Sequence, residues 1–113
     1  MNNANQLEEI NVTIDQAQKQ IDEMMCLERL RKNADFKALI EDGYLKEEAA
    51  RVVIAKADPN MQTEEHQKQL DNMIIGIGYL RQYLVKIYQF GNHAKRTIEA
   101  HKETRSEIMT EAQ

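Results

Sequence analysis

The stretch LDNMIIGIGYLRQYLVKIYQFGNHAKRTI, residues 70–98, decides the fold. Apolar or small residues recur in it at alternating steps of three and four: Leu70, Met73, Ile77, Leu80, Leu84, Ile87, Gly91, Ala94 and Ile98. That spacing is a heptad seam, which lines one side of an α-helix. It persists, in more polar form, through His101, Arg105, Ile108 and Ala112. Between Met73 and Phe90 the helix is apolar on most faces. Ile74, Ile75, Val85 and Tyr88 join the seam, and Tyr79, Tyr83 and Phe90 form a second stripe off it. A helix that is apolar nearly all round is buried nearly all round. The middle section is therefore expected to contact its own chain on one side and a partner subunit on another.

Asp58-Pro59 marks where this long helix should begin, because Asp is a strong N-cap and Pro suits the first helical position. The helix is expected over residues 58–112, about 80 Å if continuous. Gly91-Asn92 is the place for a break, since Gly can end a helix and Asn can cap the next. Gly costs only about 1 kcal/mol inside a helix, and on the seam it would let a facing helix approach closely.

Upstream, Leu7, Ile10, Ile14, Ala17, Ile21 and Met24 repeat the same steps, and the seam resumes after a three-residue step at Leu27, Leu30 and Ala34. A first helix is expected over residues 5–32, about 40 Å long. Residues 33–57 read as a helical hairpin. Asn33 caps its first helix, and Gly43 closes that helix in a left-handed conformation with Tyr44 following. A second short helix runs from Leu45, with Glu47 and Arg51 as an i,i+4 pair. Phe36, Leu39, Ile40, Gly43, Tyr44 and Leu45 are the expected packing residues of the hairpin. The fold class is all-α: an elongated, coiled-coil-like helical bundle forming one domain of residues 1–113, with the long C-terminal helix antiparallel to the first.

The totals agree. The chain has 113 residues, 42% apolar and 30% charged, with a mean hydropathy of -0.69, so much surface accompanies a modest core. Residues 1–32 and 33–58 each carry four basic and six acidic side chains, and 59–113 seven of each. Mixed signs and a net charge of -4 do not suit a phosphate-backbone binder. The local excess of Arg81, Lys86, Lys95, Arg96, Lys102 and Arg105 over Glu99 and Glu103 reads as a solvated helix face. Cys26 is the single cysteine, which favours a reducing compartment. No signal-peptide pattern opens the chain, and the longest nearly apolar run, Met73 to Leu80, falls short of the roughly 20 residues a membrane helix needs. A soluble, intracellular protein with no membrane partner is expected.

Candidate chemistry is sparse. Gly76-Ile77-Gly78 begins like a dinucleotide fingerprint, but Arg81 stands where the third Gly belongs and no strand precedes it. Close helix packing is the better reading. His66, His93 and His101 are the only imidazoles. Neither His-Glu-x-x-His nor Glu-x-x-His occurs, so no metal is expected. His101, on the seam, would make the distal contact pH-sensitive. The doublets Glu8-Glu9, Glu41-Asp42 and Glu47-Glu48 point about 100° apart on a helix and do not converge on one substrate atom. Cys26 has no positioned base and reads as a buried or half-buried structural thiol. The methionines, among them Met24, Met25, Met61, Met73 and Met109, read as gap-filling core, and so do Tyr79, Tyr83 and Tyr88. No catalytic, cofactor or metal site is assigned.

The segment ADFKALIEDGYLKEEAAR, residues 34–51, resembles a segment of small helical proteins encoded in tailed-bacteriophage structural gene modules. Phe36, Leu39-Ile40, Gly43-Tyr44-Leu45 and Glu48-Ala49, followed by a long helix, carry the resemblance. It implies a phage head, core, scaffold or tail accessory, made in the host cytoplasm and then part of the virion, whose further partners are other phage structural proteins. The function expected is a non-enzymatic homo-oligomer acting through helix–helix association. Its interface would be Leu70, Met73, Ile77, Leu80, Tyr83, Leu84, Ile87, Ala94 and Ile98. Residues 94–112 would be offered to a different partner. Two alternatives stand beside it: a phage-made inhibitor that binds a host protein or sequesters a small ligand, and a DNA-packaging accessory.

Overall fold

The computed structural model describes residues 3–111. Nearly all of them are helical, and no strand occurs among them. Helix α1 spans Asn3–Arg31. After a turn at Lys32 a middle helix follows, itself uninterrupted: α2, Ala34–Phe36, passes into a π-helical stretch, Lys37–Glu48, and then into α3, Ala49–Ala55. After a 3-10 turn at Pro59–Met61, α4 runs unbroken over Glu64–Glu111, about 72 Å at 1.5 Å per residue. Ala112 of the expected seam lies outside the described residues.

The chain divides into two compact units, Met1–Leu27 with Lys86–Gln113, and Glu28–Val85. In the first unit, α1 and the distal part of α4 pair antiparallel. Met24 faces Gly91, Ala17 clusters with Ala94 and Ile98, and Arg105 Nη1 donates to Asn11 Oδ1 at 3.1 Å. Ile14 and Ile21 pack against that cluster. Ile10, Ala17 and Met24 are buried at heptad steps, as an antiparallel helix pair requires. The seam ends at Leu27, since Leu30 and Ala34 are exposed. Gly91 is continuous helix rather than a break.

In the second unit, the middle helix lies antiparallel along the proximal part of α4. Tyr44 Oη stands 3.7 Å from where a Cβ on Gly76 would be, and Lys56 Nζ donates to Asp71 Oδ1. Val52, Leu70 and Ile77 are its buried apolar residues. Arg31 Nε donates to Glu41 Oε1 at 2.7 Å, joining the end of α1 to the middle helix.

The middle helix corrects the expected hairpin. Asn33 does cap it, its Oδ1 accepting from the Asp35 and Phe36 amides at 2.9 and 3.0 Å. Gly43, however, has no positive φ and ends nothing. It lies within the π-helical stretch, where a Cβ would stand 2.9 Å from the Ala38 carbonyl oxygen. That oxygen belongs to the residue five back, the acceptor position of a π turn. Gly is needed there for space, and the chain continues as helix. Gly43→Ala is expected not to deliver the gain of about 1 kcal/mol that the substitution brings in an unobstructed helix. A urea titration showing that gain would refute the assignment. The ion pair of Arg51 is also one residue displaced: it grips both oxygens of Glu48, at 2.5 and 3.0 Å, rather than Glu47. The hydrogen bond to Arg51 holds the Glu48 carboxyl below its ordinary range.

The start of α4 is later than expected. Asp58 Oδ1 accepts from the Asn60 amide at 2.9 Å, and this local bond, with Pro59 at the first position, closes a 3-10 turn only. Gln62 Nε2 donates to the Lys56 and Asp58 carbonyls at 2.8 and 2.7 Å, and Gln67 Nε2 to those of Lys56 and Met61 at 3.1 and 2.8 Å. These bonds satisfy the carbonyls that a terminating helix leaves open. The cap of α4 is Thr63, whose Oγ1 accepts from the His66 amide at 3.1 Å. Glu64 and Glu65 then fall in the first turn, where negative charge suits the helix dipole.

Candidate interaction surface

The residues expected at an oligomer interface separate into three groups. Leu70, Ile77, Ala94 and Ile98 are buried within the chain. They serve the intrachain seam and are not available to a second subunit while this fold stands. The reason is that α1 and the middle helix supply the partners that the length of α4 had assigned to another chain. Leu80, Leu84 and Ile87 are half-buried. Met73 and Tyr83 are exposed, Tyr83 at 61%.

Exposure is concentrated on the other side of α4. In the second unit Ile75, Tyr79 and Tyr83 are 51%, 68% and 61% exposed. At about 100° per residue they fall within an arc of about 80°. Ile75 and Tyr79 point about 160° away from the buried Ile77, and Tyr83 about 120° away. Tyr79 and Tyr83 are thus not core, as their place in an apolar run had suggested. Tyr88 is half-buried. The signal that finds this surface is already in the sequence as an i, i+4, i+8 series, parallel to the seam but off it.

Gly78 lies beside that stripe, and a Cβ built on it would meet nothing within 4 Å. It is the only one of the four glycines of which this is true. A helix interior gives up about 1 kcal/mol by carrying Gly instead of Ala, and nothing in the chain's own packing requires that at residue 78.

The middle helix has an outward apolar side too. Leu39, Val53 and Ile54 are 72%, 58% and 72% exposed. Of the expected hairpin residues, Phe36, Ile40, Gly43, Tyr44 and Leu45 are half-buried, and Leu39 alone points out. A run of apolar residues four to five apart stays on one side of a π-helix, whose hydrogen bonds close one residue further on than in α. Leu39 is off that line.

The other candidates lead to no chemistry. Cys26 is exposed because Met24 and Leu27, either side of it, take the buried positions. Met24 is core, but Met25, Met73 and Met109 are exposed. Among the described residues no group of three or more His, Cys, Asp or Glu side chains could hold a metal ion. His93 is exposed. His101 is half-buried, its Nδ1 2.8 Å from the Thr97 carbonyl oxygen, a bond in which the ring nitrogen must be the donor. Glu8 and Glu9 line an open hollow along one side of α1 with Asn5, Val12 and Thr13. The basic residues of α4 do not share one side: at about 100° per residue Lys86 and Lys95 lie on opposite sides, while Lys95 and Lys102, seven apart, lie on the same one. No helix among the described residues is long and apolar enough to cross a membrane.

The class these features define is an all-α protein built of long antiparallel helix pairs, with an apolar surface in place of a polar cleft. No protein-family model matches the chain, and neither a curated protein nor a solved structure matches it.

Proposed function

We propose that the chain is a non-enzymatic, self-associating structural or assembly protein that acts through helix–helix contacts. The observation that carries this reading is the imbalance in the second unit. It buries Val52, Leu70 and Ile77 and leaves Leu39, Val53, Ile54, Ile75, Tyr79 and Tyr83 more than half exposed. Apolar surface left exposed on both helices marks protein–protein contact. The resemblance of residues 34–51 to phage structural-module proteins supports a role in a phage particle or its assembly.

Light scattering on the purified full chain tests the association, with an expected mass at least twice the 13.2 kDa of the chain at micromolar concentration. A monomer at every concentration would overturn it and favour the alternative of a binder of some other protein. Mass spectrometry of purified particles tests the phage assignment, and absence of the chain from both particles and assembly intermediates would remove it.

A further inference from the structure

We infer that the middle helix is a register switch: the π-helical stretch Lys37–Glu48 rewinds as α-helix in a less populated state, which turns Leu45 and Val52 outward and brings Leu39 and Ile54 in against α4 in their place. Three observations carry this.

The first is the length of the stretch. π turns occur mostly singly within α-helices, frequently at functional sites, whereas this one runs for 12 residues. It is held by the packing it allows. Phe36, Ile40, Tyr44, Glu48 and Val52, four apart, are all half-buried or buried. In an α-helix each step of four turns such a line by about 40°, so Val52 would point about 160° away from Phe36. A π turn, whose hydrogen bonds close one residue further on, keeps both inward.

The second is that the same segment carries another apolar line at α spacing. Wound as α-helix, the residues of the middle helix within about 60° of Phe36 are Leu39, Ile40, Gly43, Ala50 and Ile54, with Glu47 and Arg51 as the charged members. Leu39 and Ile54 are each 72% exposed in the π register, more than any other large apolar residue among those described. Glu47 and Arg51, four apart, would pair in the order that suits an α-helix, replacing the pair of Arg51 with Glu48. Phe36 and Ile40 belong to both lines, so the end capped by Asn33 stays and the other end turns. That turn releases Lys56 from Asp71, and these side chains are 37% and 51% exposed, where an ion pair holds little. It also re-seats Gln62 and Gln67, which donate to the Lys56 carbonyl.

The third is Gly43. A Cβ there meets the Ala38 carbonyl oxygen at 2.9 Å, the acceptor five residues back. In the α register the acceptor is the carbonyl of Leu39, four back, and the clearance is no longer needed. Gly43 is thus required by one register only. The switch decides which apolar residues of the middle helix face outward, Leu39 and Ile54 or Leu45 and Val52, and a partner that binds one set selects its register.

Thiol labelling of the full chain in a Cys26→Ser background tests this, with the reporter Val52→Cys, buried in the π register only, and the control Ile77→Cys, covered by the middle helix in both. Gly43→Ala favours the α register about fivefold by helix propensity alone, and further by the contact with Ala38. It is expected to speed labelling at residue 52 at least tenfold and to leave residue 77 unchanged. Leu39→Asp, exposed in the π register and turned inward in the other, is expected to slow labelling at residue 52 at least tenfold. With Gly43 in place, labelling at residue 52 should depend only weakly on urea, because a change of register exposes little surface, while residue 77 should follow the full unfolding slope. No change at residue 52 on Gly43→Ala, or an equal rise at residues 52 and 77, would overturn the switch. Should Gly43→Ala fail to fold, the urea series decides: a slope at residue 52 as steep as at residue 77 means a single register.

Discussion

Gly91→Ala is expected to lower the stability of the chain by up to about 2 kcal/mol, against the gain that the same substitution brings at an open helix position. Two effects compete. Ala is a better helix former than Gly by about 1 kcal/mol. The new methyl, however, would stand 2.6 Å from both Cβ and Sδ of Met24. The sulfur is the mobile end of a flexible side chain, but Met24 is only 1% exposed, so it cannot relax into solvent where it stands. Its Cβ is fixed to the backbone of α1, so relief requires the two helices to move apart. Overpacking of this kind costs about 1–3 kcal/mol, and opening the helix pair would also loosen Ala17 against Ala94 and Ile98. Met24→Ala alone is expected to cost about 2–5 kcal/mol. Because the methyl introduced by Gly91→Ala would then occupy part of the space that the longer side chain vacates, the double variant should cost less than the two single losses together, by more than the roughly 0.5 kcal/mol of ordinary non-additivity. Urea unfolding of the four proteins checks this, and a stabilised Gly91→Ala would contradict the packing of α1 on α4.

Gly91 also shows where sequence reasoning reached and where it stopped. The heptad steps of Ile10, Ala17 and Met24, and of Gly91, Ala94 and Ile98, were legible because a buried helix side repeats regardless of what covers it. The all-α class and the long terminal helices followed from that periodicity. What covers a seam is not local information. Leu70 and Ile77 look the same in sequence whether a middle helix or another subunit lies over them, and their burial within the chain moved the candidate surface to the opposite side of α4. Tyr83 kept its place at a candidate surface because it lies off the seam, while Ile75 and Tyr79 were hidden in an apolar run that has two faces. Gly43 failed for a different reason. A glycine before Tyr44 has the chemistry of a helix end, and only the position of the Ala38 carbonyl shows that it is a clearance instead. The same holds at residue 63, where the strong signal of Asp58-Pro59 drew the start of α4 away from the weaker cap, Thr63.

Val52→Asp is expected to be more damaging than any of these, because Val52 is the one apolar residue of the second unit with no exposure at all. Only Leu70 and Ile77 share that buried set, so the unit has little else to fall back on. A carboxylate there has no buried partner, and an uncompensated buried charge costs about 3–5 kcal/mol, a large fraction of a typical domain's stability of about 5–15 kcal/mol. The pH dependence distinguishes charge burial from lost packing. Burial raises the pKa of the introduced acid in the folded state, so the unfolded chain ionises first as pH rises and each step upward favours unfolding. The loss should be smallest below about pH 3.9, the ordinary Asp value, grow above it, and level off once the folded-state group has ionised. Val52→Asn, similar in shape but unable to ionise, should lose stability with no such added dependence. Thermal melts of the two variants at pH 4 and pH 7, each referred to wild type at the same pH, give the comparison. Equal penalties at both pH values for Val52→Asp would mean that residue 52 reaches water, and that the middle helix does not cover α4 as the burial of Val52 requires.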